Sequence, residues 1–254
     1  MDSSTLVLLT GTIFAASSLQ AATGIGYGVI AGPVFLIIFN GVEALQLSVT
    51  HNLAIAVLLF PFLRAHVNGA LLVTLVPGSV LGLLTGFFLQ TIASTQALKA
   101  IAMLMVAFVT VALLRDILRP RETRPALAAG KPEKLGVGAV AGFMGGIIAM
   151  PGPVVSTWMS LRGWRKEEVR ATVLAFFIFA YGTVFTFYLA RQDFDTDTLV
   201  LGLALLPVVG LGLIVGTCAT RFLSEDLYRK VLLAVLILTL MLSVSDWLLL
   251  GRSE

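Results

Sequence analysis

Between Asp2 and Glu43 the chain carries no charged residue, and seven further runs share this property: 44–63, 67–98, 100–114, 135–161, 171–190, 198–220 and 231–245. A helix facing water shows polar residues along one whole face, so charge recurs every turn or two. Runs of this length instead match the roughly 20 apolar residues that a helix needs to cross the hydrocarbon core of a bilayer. The composition agrees. Charged residues make up 12 % of the 254 and apolar ones 58 %, where a soluble domain carries about 25 % charge. Mean hydropathy is +0.99. No segment alternates with period 2, which argues against a transmembrane β-barrel. The expectation is an all-α integral membrane protein, multi-pass in the inner cell membrane, with the lipid bilayer as its first partner.

Other classes fall away quickly. The single cysteine, Cys218, excludes an intrachain disulfide, a CxxC pair and a Cys-based zinc site. Beside Gly216 and Thr217 it reads as a small packing residue. The net charge of +3 is spread over loops, so no nucleic-acid partner is expected, and the basic residues serve as topology signals. No basic residue precedes the first apolar run, so no cleaved signal peptide is expected.

The two halves resemble each other. Pro77-x4-Gly82-x3-Gly86 recurs as Pro207-x4-Gly212-x3-Gly216, and the same offset matches Lys99 with Arg229 and Asp116 with Asp246. Earlier in each half, Gly32-Pro33 pairs with Gly152-Pro153 and Gly26 with Gly146. Duplication explains ordered matches of this kind, and internal repeats are the usual build of secondary transporters. The chain divides into a first transmembrane repeat, 1–116, a basic cytoplasmic linker, 117–134, and a second repeat, 135–254.

The first run of each half does not fit a simple crossing. The stretch before Glu43 is too long for one helix and is broken by Gly24-Ile25-Gly26-Tyr27-Gly28 and Pro33. The run 135–161 is too short for two crossings and is broken by Gly145-Gly146 and Pro151-Gly152-Pro153. Either each piece crosses, or each pair dips in and returns. Charge separates the two schemes. If every piece crosses, nine of the 17 Lys and Arg share a side with the linker, which is no bias. With re-entrant hairpins, all but Lys99, Arg191 and Arg252 do, a ratio of 14 to 3. The expected fold therefore has two inverted repeats, each a broken re-entrant helix hairpin plus three transmembrane helices.

Breaks in a membrane helix carry meaning. Proline lacks the N–H and glycine tolerates non-helical dihedrals, so backbone groups are freed. In lipid these groups need partners or a lined cavity. Half-helix N-termini also present N–H donors and partial positive charge, which favour anions. Breaks at equivalent points of two repeats mark the central site of a transporter. Gly82/Gly86 and Gly212/Gly216, in contrast, read as small-residue helix contacts.

At the breaks the sequence resembles the TauE/SafE family of sulfite and organosulfonate exporters. The residues that carry the likeness are Ala22-Thr23-Gly24-Ile25-Gly26-Tyr27-Gly28 with Gly32-Pro33, then Gly142-Phe143-Met144-Gly145-Gly146, Met150-Pro151-Gly152-Pro153 and Val169-Arg170-Ala171-Thr172. Tyr27 interrupts a stretch that the family commonly builds from adjacent glycines. The resemblance implies export of small anions such as sulfite or C2 organosulfonates.

The candidate substrate-binding residues are Gln20, Thr23, Gly24, Gly26, Tyr27, Gly28, His51, Asn52, Pro151, Gly152, Pro153, Arg170 and Thr172. Gln20, Thr23 and Tyr27 border the first break and can donate hydrogen bonds to an oxyanion. His51 and Asn52 lie in an unusually polar part of an apolar run, with Gln46, Ser48 and Thr50 nearby, and interhelical hydrogen bonding competes there with a substrate or proton role. Arg170 reads either as a snorkelling interfacial cation or as a planar fork for two oxygens of a sulfonate. Thr172 can add a hydroxyl. With only one other histidine, His66, a metal site is not expected, and neither is any cofactor.

A secondary transporter bound to a small anion, with a proton or sodium as coupling ion, is the reading these residues favour. A channel or a carrier of another small solute is the alternative, and an intramembrane enzyme ranks below both. No HExxH, GxSxG or paired intramembrane aspartates appear, and no P-loop.

Overall fold

The computed structural model describes residues 2–24, 26–39, 41–118, 130–191 and 193–219, with isolated positions between 233 and 245. The described part is helical, with no strand among its residues. In order it comprises α1 (Ser3–Thr23), α2 (Tyr27–Ile38), α3 (Gly41–Leu63), a 3-10 turn (Arg64–His66), α4 (Gly69–Ile92), α5 (Thr95–Leu118), α6 (Lys131–Ile148), α7 (Gly152–Leu161), α8 (Lys166–Ala190), α9 (Thr196–Ala204) and α10 (Leu206–Ala219). Five helices are long and apolar enough to span a bilayer, or six if α9 and α10, bent by 40°, form one span. The last apolar run, and with it Arg229, Asp246 and Arg252, lies largely outside the described residues. The linker also lies mostly outside them, but Lys131 to Lys134 at its end already belong to α6, whose first turn contains Pro132 and Glu133.

Local chemistry fixes the helix ends. Asp2 caps α1 by accepting from the Thr5 N–H, and Gly24 closes it in the left-handed region at φ 82°. Hydroxyls inside the spans turn back onto their own helix: Ser17 donates to the Ile13 carbonyl at 2.6 Å and Thr110 to Val106 at 2.7 Å. Pro77 stays within the single 24-residue helix α4, whereas its counterpart Pro207 follows directly on the break between α9 and α10.

Glycine decides which helices touch. A Cβ added to Gly78, Gly82 or Gly86 would collide with the backbone of Leu135, Ala139 or Phe143, and one added to Gly138, Gly142 or Gly146 with that of Leu75, Ser79 or Leu83. The axes of α4 and α6 approach closely because neither side carries a side chain there. The contacts ascend in the same order on both helices, so α4 and α6 run parallel. The second copy of the motif behaves alike: Gly212 meets Phe14 and Ser17, and Gly216 meets Ser18, so α10 runs parallel to α1. Cys218 does not share in this contact; it is exposed, two residues beyond Gly216 and on another face of α10. Each Pro-Gly-Gly helix thus packs on the broken hairpin of the other half.

The corresponding helices α3 and α8 lie side by side and antiparallel. The backbone N–H of Asn68, between α3 and α4, donates to Thr172 Oγ1 near the start of α8 at 3.0 Å. At the opposite end Gln46, near the start of α3, donates to the Asp193 carbonyl at 2.7 Å and accepts from the Asp195 N–H at 3.1 Å, just beyond α8. Asn68 and Asp195 are themselves the N-caps of α4 and α9. The second hairpin closes at its base, where Glu133 of α6 accepts from Trp158 Nε1 at 2.8 Å and pairs with Arg162 at the end of α7. Leu81, Leu84, Phe88, Leu104 and Phe108 of α4 and α5 are exposed, which suits contact with lipid tails. The largest buried side chains, Tyr27, Phe35, Phe176 and Tyr181, belong to α2 and α8 near the two breaks.

Candidate functional site

The two breaks meet. Gly28, in the first turn of α2, lies so close to the second break that a Cβ there would sit 3.1 Å from the Ala149 carbonyl and 3.4 Å from Met150 Cγ. Between them is a narrow crevice, with free space of about 10 Å³, lined by Gln20, Gly26, Gly28, Val29, Met150, Gly152, Pro153, Phe177 and Tyr181. Both hairpins and α8 contribute, and none of these side chains is charged.

The first break is held open by a glycine pair and one amide. Gly24 donates its N–H to the Gln20 carbonyl at 2.7 Å. Gly26 stands at φ 130°, where an L side chain is strained, and a Cβ would meet Leu19 Cδ2 at 3.0 Å. The Gln20 side chain then spans the gap. Its Oε1 accepts from the Tyr27 N–H at 2.9 Å, and its Nε2 donates to Asn52 Oδ1 at 3.2 Å. Asn52 in turn donates to the Ser48 carbonyl at 2.9 Å. Gln20 therefore takes one of the N–H groups at the start of α2. Helix geometry leaves those of Gly26, Gly28 and Val29 without an intrahelical acceptor.

The second break uses other means. Ala149 closes α6 at φ 54°, and its carbonyl accepts from the Tyr181 hydroxyl at 3.0 Å. α7 then starts at Gly152, with Pro151 before it and Pro153 in its first turn. Prolines have no N–H, so Gly152 and Val154 supply the donors of that turn. The starts of α2 and α7 both border the cavity, so two sets of N–H groups and two positive dipole ends act on the same small volume.

The other sequence candidates sit around this centre. Tyr27 turns its ring away from the cavity, edge-on to Phe35 and His51, and its hydroxyl lies 2.6 Å from His51 Nδ1. His51 Nε2 lies 2.9 Å from the Gly202 carbonyl. A carbonyl only accepts, so Nε2 carries the proton and Nδ1 accepts from Tyr27. Gly202 is in the last turn of α9, where the break leaves carbonyls without intrahelical donors. His51 and Tyr27 thus join α2, α3 and the bent α9 in one buried chain. Arg170 donates to the Ala21 carbonyl, and its stem covers Gly24. A cation at the C-terminal end of α1 also complements the helix dipole. Thr172 accepts from Asn68, and Pro151 packs on Gly145. The side chain of Thr23 lies outside the described residues.

Val29, Met150, Phe177 and Tyr181 line the cavity and were not among the candidates. Tyr181 had a usable signal: a phenol in an apolar run needs a buried partner, and Phe177 one turn before it shares its face.

A family model for the sulfite exporter TauE/SafE matches residues 9–242. The chain belongs to the TauE/SafE family. It is thus a multi-pass membrane protein of a family of sulfite and sulfonate exporters. No curated protein and no solved structure matches it. The match takes in both breaks, so every residue lining the cavity belongs to the family region.

Proposed function

We propose that this TauE/SafE protein exports a small oxyanion, sulfite or a C2 organosulfonate, across the inner cell membrane. The anion binds between the starts of α2 and α7, within reach of Gln20, Gly26, Gly28, Gly152, Pro153 and Tyr181. The observation that carries this reading is the convergence of two half-helix N-termini on one cavity without a charged lining residue. Backbone donors and dipoles hold an anion without a fixed cation, so the anion can also leave, which turnover requires. The apolar wall of Val29 and Phe177 suits the carbon end of an organosulfonate.

The same reading takes the halves as inverted repeats with two re-entrant hairpins. Support comes from the antiparallel contact of α3 with α8, from the exchange of partners between α4–α6 and α1–α10, and from the closed base at Glu133 and Arg162. Each half then supplies one broken hairpin from its own side of the membrane. In this scheme Arg170, Tyr27, His51 and Asn52 position the breaks and do not touch the anion.

The test is flux. Purified protein in proteoliposomes should release preloaded radiolabelled sulfite or ethanesulfonate faster than empty vesicles, with taurine, a zwitterion, carried poorly. Release no faster than from empty vesicles, for every anion tried, would refute the assignment.

A further inference from the structure

Met150 is the unbranched apolar side chain in the cavity wall, and its seat is unusual. Its Cγ lies over Gly28, and a Cβ on Gly32 would be 2.5 Å from its terminal Cε. Gly28 and Gly32 are one turn apart on α2, so the thioether lies along a groove that exists only because both residues lack side chains. Met150 is 2 % exposed, yet it borders the cavity. The groove stores the end of the side chain, and the fraction of Met150 that fits into it sets how much of the cavity stays open. An unbranched thioether with three rotatable bonds is suited to such a role.

We propose that Met150, seated in the Gly28–Gly32 groove, is a specificity-determining residue that sets the length of anion the site accepts. The inference rests on the reading that this cavity holds the substrate. Two opposite perturbations follow from the geometry. Met150→Ala removes three heavy atoms and opens both the groove and the adjoining wall, making room for one or two more methylenes on a sulfonate. Gly32→Ala fills the far end of the seat and displaces Cε toward the cavity. That substitution is tolerated by the fold, because the only atom it meets within 4 Å is the free end of a flexible side chain. The pair Gly32→Ala/Met150→Ala removes the displaced atoms again, so its selectivity should return to that of Met150→Ala. Such non-additivity is the mark of two residues acting through one contact.

The experiment measures proteoliposome flux of sulfite, methanesulfonate, ethanesulfonate and propanesulfonate for the wild type and the three variants. A methylene in an apolar pocket changes discrimination by about tenfold or more. The propanesulfonate-to-sulfite ratio should rise by about that factor in Met150→Ala and fall by about that factor in Gly32→Ala. The double variant should match Met150→Ala. Thermal melts of all four proteins identify any that fail to fold. If the wild type carries these anions but all variants share its selectivity, the role of Met150 is wrong while the site stands. If Gly32→Ala acts equally with and without Met150, the groove mechanism is overturned. If the wild type carries none of them, the inference falls together with the proposed function.

Discussion

Gln20→Glu probes the site with the least change of shape. Gln20 borders the cavity and already serves as the acceptor for the Tyr27 N–H, which a carboxylate would do more strongly. The bond lost is the donation to Asn52, a cost of about 1 kcal/mol, while Asn52 keeps its own donation to the Ser48 carbonyl. The fold therefore survives, but a negative charge now occupies the start of α2. An anion held by the N–H groups at the helix starts would have its centre roughly 5 Å from this oxygen, where two like charges repel by about 3 kcal/mol at an effective dielectric of about 20. That corresponds to a loss of about 100-fold in affinity. Gln20→Met removes the hydrogen bonds without adding charge, and its loss should be within about tenfold, since one hydrogen bond contributes about 1 kcal/mol. Equilibrium binding of ethanesulfonate to the purified proteins reads both effects. Equal losses in the two variants, or wild-type affinity in Gln20→Glu, would refute the placement of the anion at the helix starts.

Other perturbations test other parts. Gly142→Leu should abolish recovery of folded, monodisperse protein in size-exclusion chromatography, because its Cβ would collide with the Ser79 carbonyl, whereas Gly136→Ala, with open space around it, should behave as wild type. Tyr27→Phe leaves His51 Nδ1 without its donor, and the unfolding free energy in detergent should fall by about 0.5–2 kcal/mol. At the N-cap of α9, the bond from the Thr198 hydroxyl, followed by that from the Thr198 N–H, holds the Asp195 carboxyl below its ordinary range. A depressed value means that its contribution is complete above the ordinary aspartate range and is lost as pH falls through the lowered value. The melting difference between wild type and Asp195→Asn should therefore be constant near neutrality and shrink below about pH 4.

Much of this fold is written in the sequence because the bilayer makes few patterns viable. Charge-free runs delimit the helices, and paired Pro-Gly-Gly motifs identify the close contacts, which the approach of Gly82, Gly86, Gly212 and Gly216 to neighbouring backbone turns into two parallel helix pairs. The breaks are legible in part: Gly24 and Gly26 hold dihedrals that other residues resist and Pro151 precedes α7, but Pro33 lies inside α2 and Gly145-Gly146 inside α6, where the chain stays helical although the sequence predicts breaks. Side-chain direction is where sequence reading stops. Tyr27 is in the first break, yet its hydroxyl turns to His51 in the middle of α3, whose other ring nitrogen meets Gly202 of α9, 151 residues further along the chain. Arg170 is at the start of α8, and its donation to the Ala21 carbonyl of α1 spans 149 residues of chain. Met150 and Tyr181 look like ordinary apolar filling until both hairpins are folded against α8. These outcomes depend on long-range packing, which periodicity and spacing do not encode.

The central claim is the location of the anion, and a heavy analogue tests it most directly. Selenite resembles sulfite in charge and shape, and its selenium gives an anomalous signal in crystals of the protein. The account expects one strong peak in the cavity between Gln20, Gly28, Gly152 and Tyr181, competed away by excess sulfite. A competed peak elsewhere, beside Arg170 for example, with this cavity empty, would contradict it.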